Sequence, residues 1–299
     1  EGSVMPRTTG TSPKDSIAVH YPEAVEWRRA LHRCPQPSWL EFFATAFVAE
    51  KLAAWGYDVR LGRDVIAEDK QLLLPDAAVL QAEYDRALKA GADPAFLAPA
   101  RGGFTGVVAA LVGAQPGPPV GFRFDIDSNE VAETQDQTHH PARQGFISQN
   151  PGYAHMCGHD IHTATGLLLA KHFADNRKTL KGAVKFLFQP NEENLSGAAA
   201  MIEKGHVDDL DYLVGGHVGL ALKETGLVCF NIHSFMALTR FEVTFMGRPT
   251  HAAASPEQGR NAMLGACNAV TNLYAIARHS QGATRINVGT LQAGSTWNV

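Results

Sequence analysis

The segment His155-Met156-Cys157-Gly158-His159-Asp160-Ile161-His162 packs a thiol, three imidazoles and a carboxylate into eight residues. A thiolate and imidazoles are good ligands for divalent ions such as zinc, manganese or nickel. Gly158 lets the backbone turn tightly enough for Cys157 and His159 to face one point. A buried structural cysteine beside hydrogen-bonded histidines would account for this stretch alone, so the rest of the chain must decide. Asp127 stands upstream, and the adjacent pair Glu192-Glu193 and His217 downstream. In an adjacent pair, one carboxylate can bind a metal while its neighbour stays free to move a proton. Asp127 suits an acid that bridges or orients an imidazole. These residue types imply metal-assisted hydrolysis, in which a metal acidifies water and polarises the attacked group. They do not identify the bond.

What must position them is a set of strands. Val120, Phe122, Phe124 and Ile126 alternate with polar residues and lead to Asp127. A second strand over 183–188 ends at Gln189-Pro190-Asn191-Glu192-Glu193, and a third over 211–214 runs into Gly215-Gly216-His217. Helices are expected between them, over 161–173 and 197–204. This β-α-β-α-β order predicts an α/β fold with a layered, mostly parallel sheet, whose ligands collect at the carboxyl ends of the strands. Upstream, Tyr21-Pro22 introduces a helix that stops at Cys34-Pro35, and Ser38 with Glu41 forms a capping box for the next. An amphipathic helix over 76–90 presents Glu83, Asp85, Arg86 and Lys89 as a solvated face.

The 299 residues, 45% hydrophobic and 19% charged, suffice for one or two cores. A formal charge of −4 argues against nucleic acid or an anionic membrane as partner, and no apolar run reaches membrane-spanning length. Four widely spaced cysteines do not form a disulfide framework, so a cytoplasmic setting is expected. After Gly226 the pattern changes. Alternating strands over 240–246 and 284–290 flank a helix expected to start at Ser255-Pro256, which gives the first half of a small α+β domain.

From about Trp27 to Val299 the chain resembles the M20 metallopeptidase family, in its branch of aminobenzoyl-glutamate-type amidohydrolases. The resemblance is carried by Trp39-Leu40-Glu41-Phe42, Gly102-Gly103-Phe104-Thr105-Gly106, Phe122-Arg123-Phe124-Asp125-Ile126-Asp127, Met156-Cys157-Gly158-His159-Asp160, Phe188-Gln189-Pro190-Asn191-Glu192-Glu193 and Arg285-Ile286-Asn287-Val288-Gly289. It implies a zinc-exopeptidase-like catalytic domain over 17–228 and a smaller, ferredoxin-like lid and dimerisation domain over 229–299, both lacking their C-terminal parts. By the same resemblance Cys157, His159, Glu193 and His217 bind two divalent ions, manganese or zinc, and Glu192 is the general base. His251 would reach a partner subunit's site to stabilise the oxyanion, and Asn298 would contact substrate. The expected substrate is p-aminobenzoyl-glutamate or another N-acyl or N-aroyl amino acid. The expected assembly is a homodimer or a heterodimer with a homologous B subunit. Ser128-Asn129-Glu130, Ile161, Asn191 and Asn194 depart from the residues common in the branch. The family's last histidine ligand would lie beyond Val299, which leaves a non-catalytic fragment or dimerisation partner as the competing expectation.

Overall fold

The structure, a computed structural model, describes residues 13–219, 222, 224–230, 237–294 and 296. The chain divides into two compact units, Glu1–Ala221 and Leu222–Val299.

In the first unit, helices α1 (Pro13–Arg33) and α2 (Phe42–Ala54) precede strand β1 (Asp58–Leu61). Helix α3 (Ala77–Lys89) and the short α4 (Pro94–Leu97) lead to β2 (Val107–Val112) and β3 (Gln115–Asp125). The short α5 (His140–Arg143) lies in the long connection to α6 (His159–Asp175). Strand β4 (Lys181–Gln189), helix α7 (Gly197–Ile202) and β5 (Tyr212–Gly215) follow. The five strands form one sheet in the order β1-β2-β4-β3-β5. β3 pairs parallel with both β4 and β5, whereas β1–β2 and β2–β4 are antiparallel.

The sheet is therefore mixed, not mostly parallel. The difference comes from β2, whose Val-Val-Ala-Ala-Leu-Val run is buried on both faces over most of its length and carries no alternation to betray it. β3 also begins earlier than its alternation suggests, at Gln115, despite Pro116, Pro118 and Pro119. Those residues lie beyond the reach of β5, which pairs only from Val120 onward, so the missing proline N–H groups break no ladder on that side. Likewise α1 runs through Pro22 from Pro13. The expected capping box does not form, because Ser38 and Glu41 turn inward to other partners. Glu83, expected on a solvated face, is buried and accepts a hydrogen bond from Gln36 Nε2 at 3.1 Å.

A ladder of phenylalanines covers the sheet face under α6. Phe122 stacks on Phe186 at 5.4 Å between centroids, and Phe124 on Phe188 at 5.7 Å. Phe186 and Phe188 are fully buried, worth about 1.5–3 kcal/mol apiece. Helix α6 lies close on this ladder through Gly166. A Cβ there would stand 2.7 Å from both Phe124 and Phe188, so Gly166→Ala would overpack the core by about 1–3 kcal/mol. That tight contact fixes the first residue of α6 against the strand ends.

In the second unit, the main element is α8 (Ala262–Tyr274), capped by Asn261, whose Oδ1 accepts from Leu264 N–H at 3.0 Å. The expected start at Ser255-Pro256 makes only a single 3-10 turn over Pro256–Gln258. Extended Gly259 and a bridge between Arg248 and Arg260 interrupt the chain before the helix begins. The described residues of 240–246 and 284–290, expected as strands, join no ladder. Phe241 and Val243 are exposed; alternation makes a strand only where a neighbouring strand pairs with it.

Candidate metal centre

The parallel strands end side by side. Asp125, the last residue of β3, pairs with Gln189, the last of β4, and Arg123 pairs with Gly215, the last of β5. The chain leaving these ends carries Asp127, Glu192-Glu193 and His217. Between β3 and β4, helix α6 opens with His159 behind Gly158, whose φ of +86° suits glycine. A Cβ on Gly158 would stand 2.6 Å from Val218 Cγ2, so the turn is close-packed as well as left-handed.

His159 is fully buried. Its Nδ1–H donates to Asp127 Oδ1 and to the Asp127 carbonyl, each at 3.0 Å, which leaves Nε2 as the atom with a free lone pair. Asp127 Oδ2 accepts from the Glu193 backbone N–H at 2.9 Å and from Ser38 Oγ at 3.3 Å. One buried carboxylate thus orients both an imidazole and the loop carrying the paired glutamates. Glu41 clamps the same loop, accepting from Asn191 N–H at 2.8 Å and from Thr105 Oγ1 at 2.5 Å. His159 Nε2 lies 3.9 Å from Glu193 Oε1 and 3.9 Å from Glu192 Oε2. Nε2 and Glu193 Oε1 are buried without a hydrogen-bond partner among the described residues.

Cys157, His159 and Glu193 offer ligand atoms that all lie within 4.8 Å of one another. Cys157 Sγ is 3.4 Å from Nε2 of the exposed His217. His217 joins Asp125, His159 and His162 in a second group of the same compactness. Asn129 shapes the cysteine's turn: its Oδ1 accepts from both Met156 and Cys157 N–H at 3.1 Å, and its backbone pairs with Ala154. His162 lies one helical turn after His159, with its ring 5.0 Å away.

The electrostatics call for positive charge. Burial, then the charge of Glu193, pushes the Cys157 thiol up to about 12. Burial, then Asp125 among other nearby carboxylates, raises Glu192 above the usual carboxylate range. Burial opposes charge on His159, but the hydrogen bond and charge of Asp127 outweigh it and raise that imidazole. A thiol, two outward lone pairs and crowded carboxylates with unmatched buried atoms suit a divalent cation. The donor set fits one.

Behind this cluster the structure adds a network that the sequence did not announce. Asp160 Oδ2 accepts from Arg28 Nε at 2.7 Å and His32 Nδ1 at 2.8 Å, and His32 Nε2 reaches Glu133 Oε1 at 2.9 Å. Glu133 also holds His139 and the Ser148 N–H. Burial raises Asp160, but its hydrogen bond from His32 and the surrounding cations hold it down to about 2.

Asp125, His162, Ser38, Glu41 and Asn129 are the site residues the sequence reading passed over. Two of them carried a signal. Asp125 stands two residues from Asp127 near a strand end, and His162 three residues from His159 on a helix. The inward turn of Ser38, Glu41 and Asn129 depends on contacts remote in sequence. His251 lies in the second unit, exposed, its Nδ1 accepting from Ala253 and Ala254 N–H at 3.1 and 3.2 Å. Asn298 lies outside the described residues.

Comparison with known proteins places this site in context. A model of peptidase family M20/M25/M40 matches residues 121–291. The chain is 45% identical over 278 residues to the A subunit of p-aminobenzoyl-glutamate hydrolase from Escherichia coli (strain K12), covering 93% of this chain and 64% of that protein. It is 46% identical over 281 residues to indole-3-acetyl-aspartic acid hydrolase of Enterobacter agglomerans, again covering 93% and 64%. The crystal structure of an aminobenzoyl-glutamate utilization protein from Klebsiella pneumoniae superposes with a TM-score of 0.73 at 37% identity, over 96% of this chain and 66% of that one. The chain thus spans just under two thirds of the length of these relatives. The mixed α/β fold and the family model, which covers more than half of the residues, agree, and the chain belongs to peptidase family M20/M25/M40.

Proposed function

We propose that this chain forms the metal-binding part of an amidohydrolase that cleaves p-aminobenzoyl-glutamate to p-aminobenzoate and glutamate. The observation that carries the reading is the convergence of Cys157, His159 and Glu193, with His217 beside the thiol, around buried atoms that have no hydrogen-bond partner among the described residues. In this reading those four residues hold two divalent ions, manganese or zinc. Such ions supply Lewis acidity toward the amide carbonyl and acidify water near neutral pH. Glu192, half-buried and raised by its surroundings, takes the proton of the attacking water and returns it to the departing amine nitrogen. Asp127 holds the His159 tautomer and the Glu193 backbone throughout. His251 acts on the oxyanion of a partner's site and Asn298 contacts substrate, in a homodimer or a pairing with a homologous B subunit. Residues 17–228 belong to the catalytic domain and 229–299 to the lid.

A second reading, a broader hydrolase of N-acyl or N-aroyl amino acids, draws on the relative named for indole-3-acetyl-aspartic acid. Both named relatives act on an aromatic acyl group joined to an acidic amino acid. The test is a panel assay of the protein carrying this chain, loaded with manganese, with and without the homologous B subunit. Release of p-aminobenzoate at the highest kcat/KM supports the first reading. Faster turnover of indole-3-acetyl-aspartate favours the second, and no hydrolysis of any aroyl or acyl amino acid removes both.

A further inference from the structure

His162 and Asp125 stand within ligand distance of His159 and His217, and the four would pass for a metal site of their own. Their hydrogen bonds argue otherwise. The Val218 backbone N–H donates to His162 Nε2 at 3.1 Å. A peptide N–H can only donate, so Nε2 is the acceptor and the ring proton sits on Nδ1. That Nδ1–H donates to Asp125 Oδ2 at 3.2 Å. The other carboxylate oxygen of Asp125 is paired with Arg123, and its carbonyl accepts from Thr163 Oγ1 at 3.1 Å. Both nitrogens of His162 and Oδ2 of Asp125 are therefore engaged in hydrogen bonds, and Oδ1 of Asp125 faces Arg123 in an ion pair without a hydrogen bond among the described residues. Among the ring nitrogens of this group, Nε2 of His159 and Nε2 of His217 remain available to a cation.

The residue that His162 grips does the rest. The Val218 carbonyl accepts from His217 Nδ1–H at 2.6 Å, which fixes the His217 tautomer and turns Nε2 toward Cys157 Sγ. The Val218 side chain packs at Gly158, between Cys157 and His159. Pinning Val218 by its N–H thus sets the position of its carbonyl, and with it the His217 ring, whose centroid lies 4.4 Å from that of His162. We propose that Asp125 and His162 form a brace that positions His217 through the main chain of Val218, and that neither residue binds metal. The brace rests on His217 being a ligand. It does for His217 what Asp127 does directly for His159.

The test uses the full protein loaded with cadmium-113 and labelled with nitrogen-15 on histidine. The brace predicts metal–nitrogen coupling at His159 and His217, none at His162, and a His162 ring protonated on Nδ1. His162→Phe should weaken cobalt binding about 10–100-fold while leaving the thermal transition cooperative. His162→Gln, whose side-chain carbonyl can still accept from Val218 N–H, should recover most of the loss and keeps the test valid if the Phe variant folds poorly. An amide is a poor ligand for these ions, so rescue by Gln separates bracing from coordination. Coupling at His162 would overturn the proposal by making it a ligand. Unchanged cobalt affinity and an unchanged His217 signal in His162→Phe would overturn it by making the brace idle. Bound cadmium with no coupling at His159 or His217 would instead remove the ligand reading on which the brace stands.

Discussion

His159 is fully buried at the first turn of a seventeen-residue helix, whereas His217 is exposed just beyond a four-residue strand at the edge of the described sheet. Each keeps one lone pair free by donating its other ring N–H to an oxygen. For His159 that oxygen belongs to a buried carboxylate that also holds Ser38 and Glu193. For His217 it is the carbonyl of the very next residue, which would drift without a second hold. Regular structure packed on a core delivers one unprotonated ring nitrogen to a fixed place. An exposed loop at an edge strand needs a borrowed constraint to do the same.

This contrast can be broken most severely on the His159 side. Glu192→Gln should lower kcat by roughly 10²–10⁴-fold while cobalt still binds with unchanged stoichiometry, read by metal analysis of the purified variant. Loss of metal instead would mean that the roles of Glu192 and Glu193 are exchanged. Asp127→Leu should weaken cobalt binding about 10–100-fold and destabilise the fold by about 1–3 kcal/mol for each buried donor left unmet. Denaturant unfolding with and without cobalt separates the two effects. A stability loss with undiminished affinity would show that Asp127 serves packing alone.

The foundation of the buried side is also predicted to respond to pH. Burial opposes charge on His32, but hydrogen bonds and charges from Asp160 and Glu133 raise it above its ordinary 6.5. A raised folded-state value means that the stabilisation is full below about 6.5 and is lost as pH rises through the folded value. His32→Asn should therefore cost about 1.5–3 kcal/mol near pH 6, with the gap to the parent closing in more alkaline buffer. A gap that widens with pH would reverse the sign and the assignment. The smallest effect is expected at Asn129, on the cysteine side. Asn129→Leu should cost about 1 kcal/mol and slow the uptake of cobalt by the thiolate, and Asn129→Asp, which keeps the acceptor, should restore it.

The same contrast explains what the sequence made legible. Glu192-Glu193 and His217 could be placed on one edge because each follows a short apolar run whose end is marked by a change to polar residues or glycine, and Cys157 and His159 because they stand just before the helix that links two of those strands. Strand β2 was missed because a run buried on both faces has no period. The mixed sheet followed from that omission. Ser38 and Glu41 matched a capping pattern, yet their partners, Asp127, Thr105 and Asn191, lie 64 or more residues away. Spacing along the chain cannot report a bond of that kind. Asn129 looked like a departure from the family pattern, and only the fold shows it gathering the two N–H groups beside the thiol.

The most direct test of the account is a cobalt titration of the protein followed by absorption spectroscopy. If Cys157 shares a cation with His159, Glu193 and His217, a thiolate-to-cobalt charge-transfer band will grow in the near ultraviolet, reach a plateau at two equivalents and vanish in Cys157→Ser. Tight cobalt binding without that band, or a band that survives the substitution, would contradict the convergence on which the proposed chemistry stands.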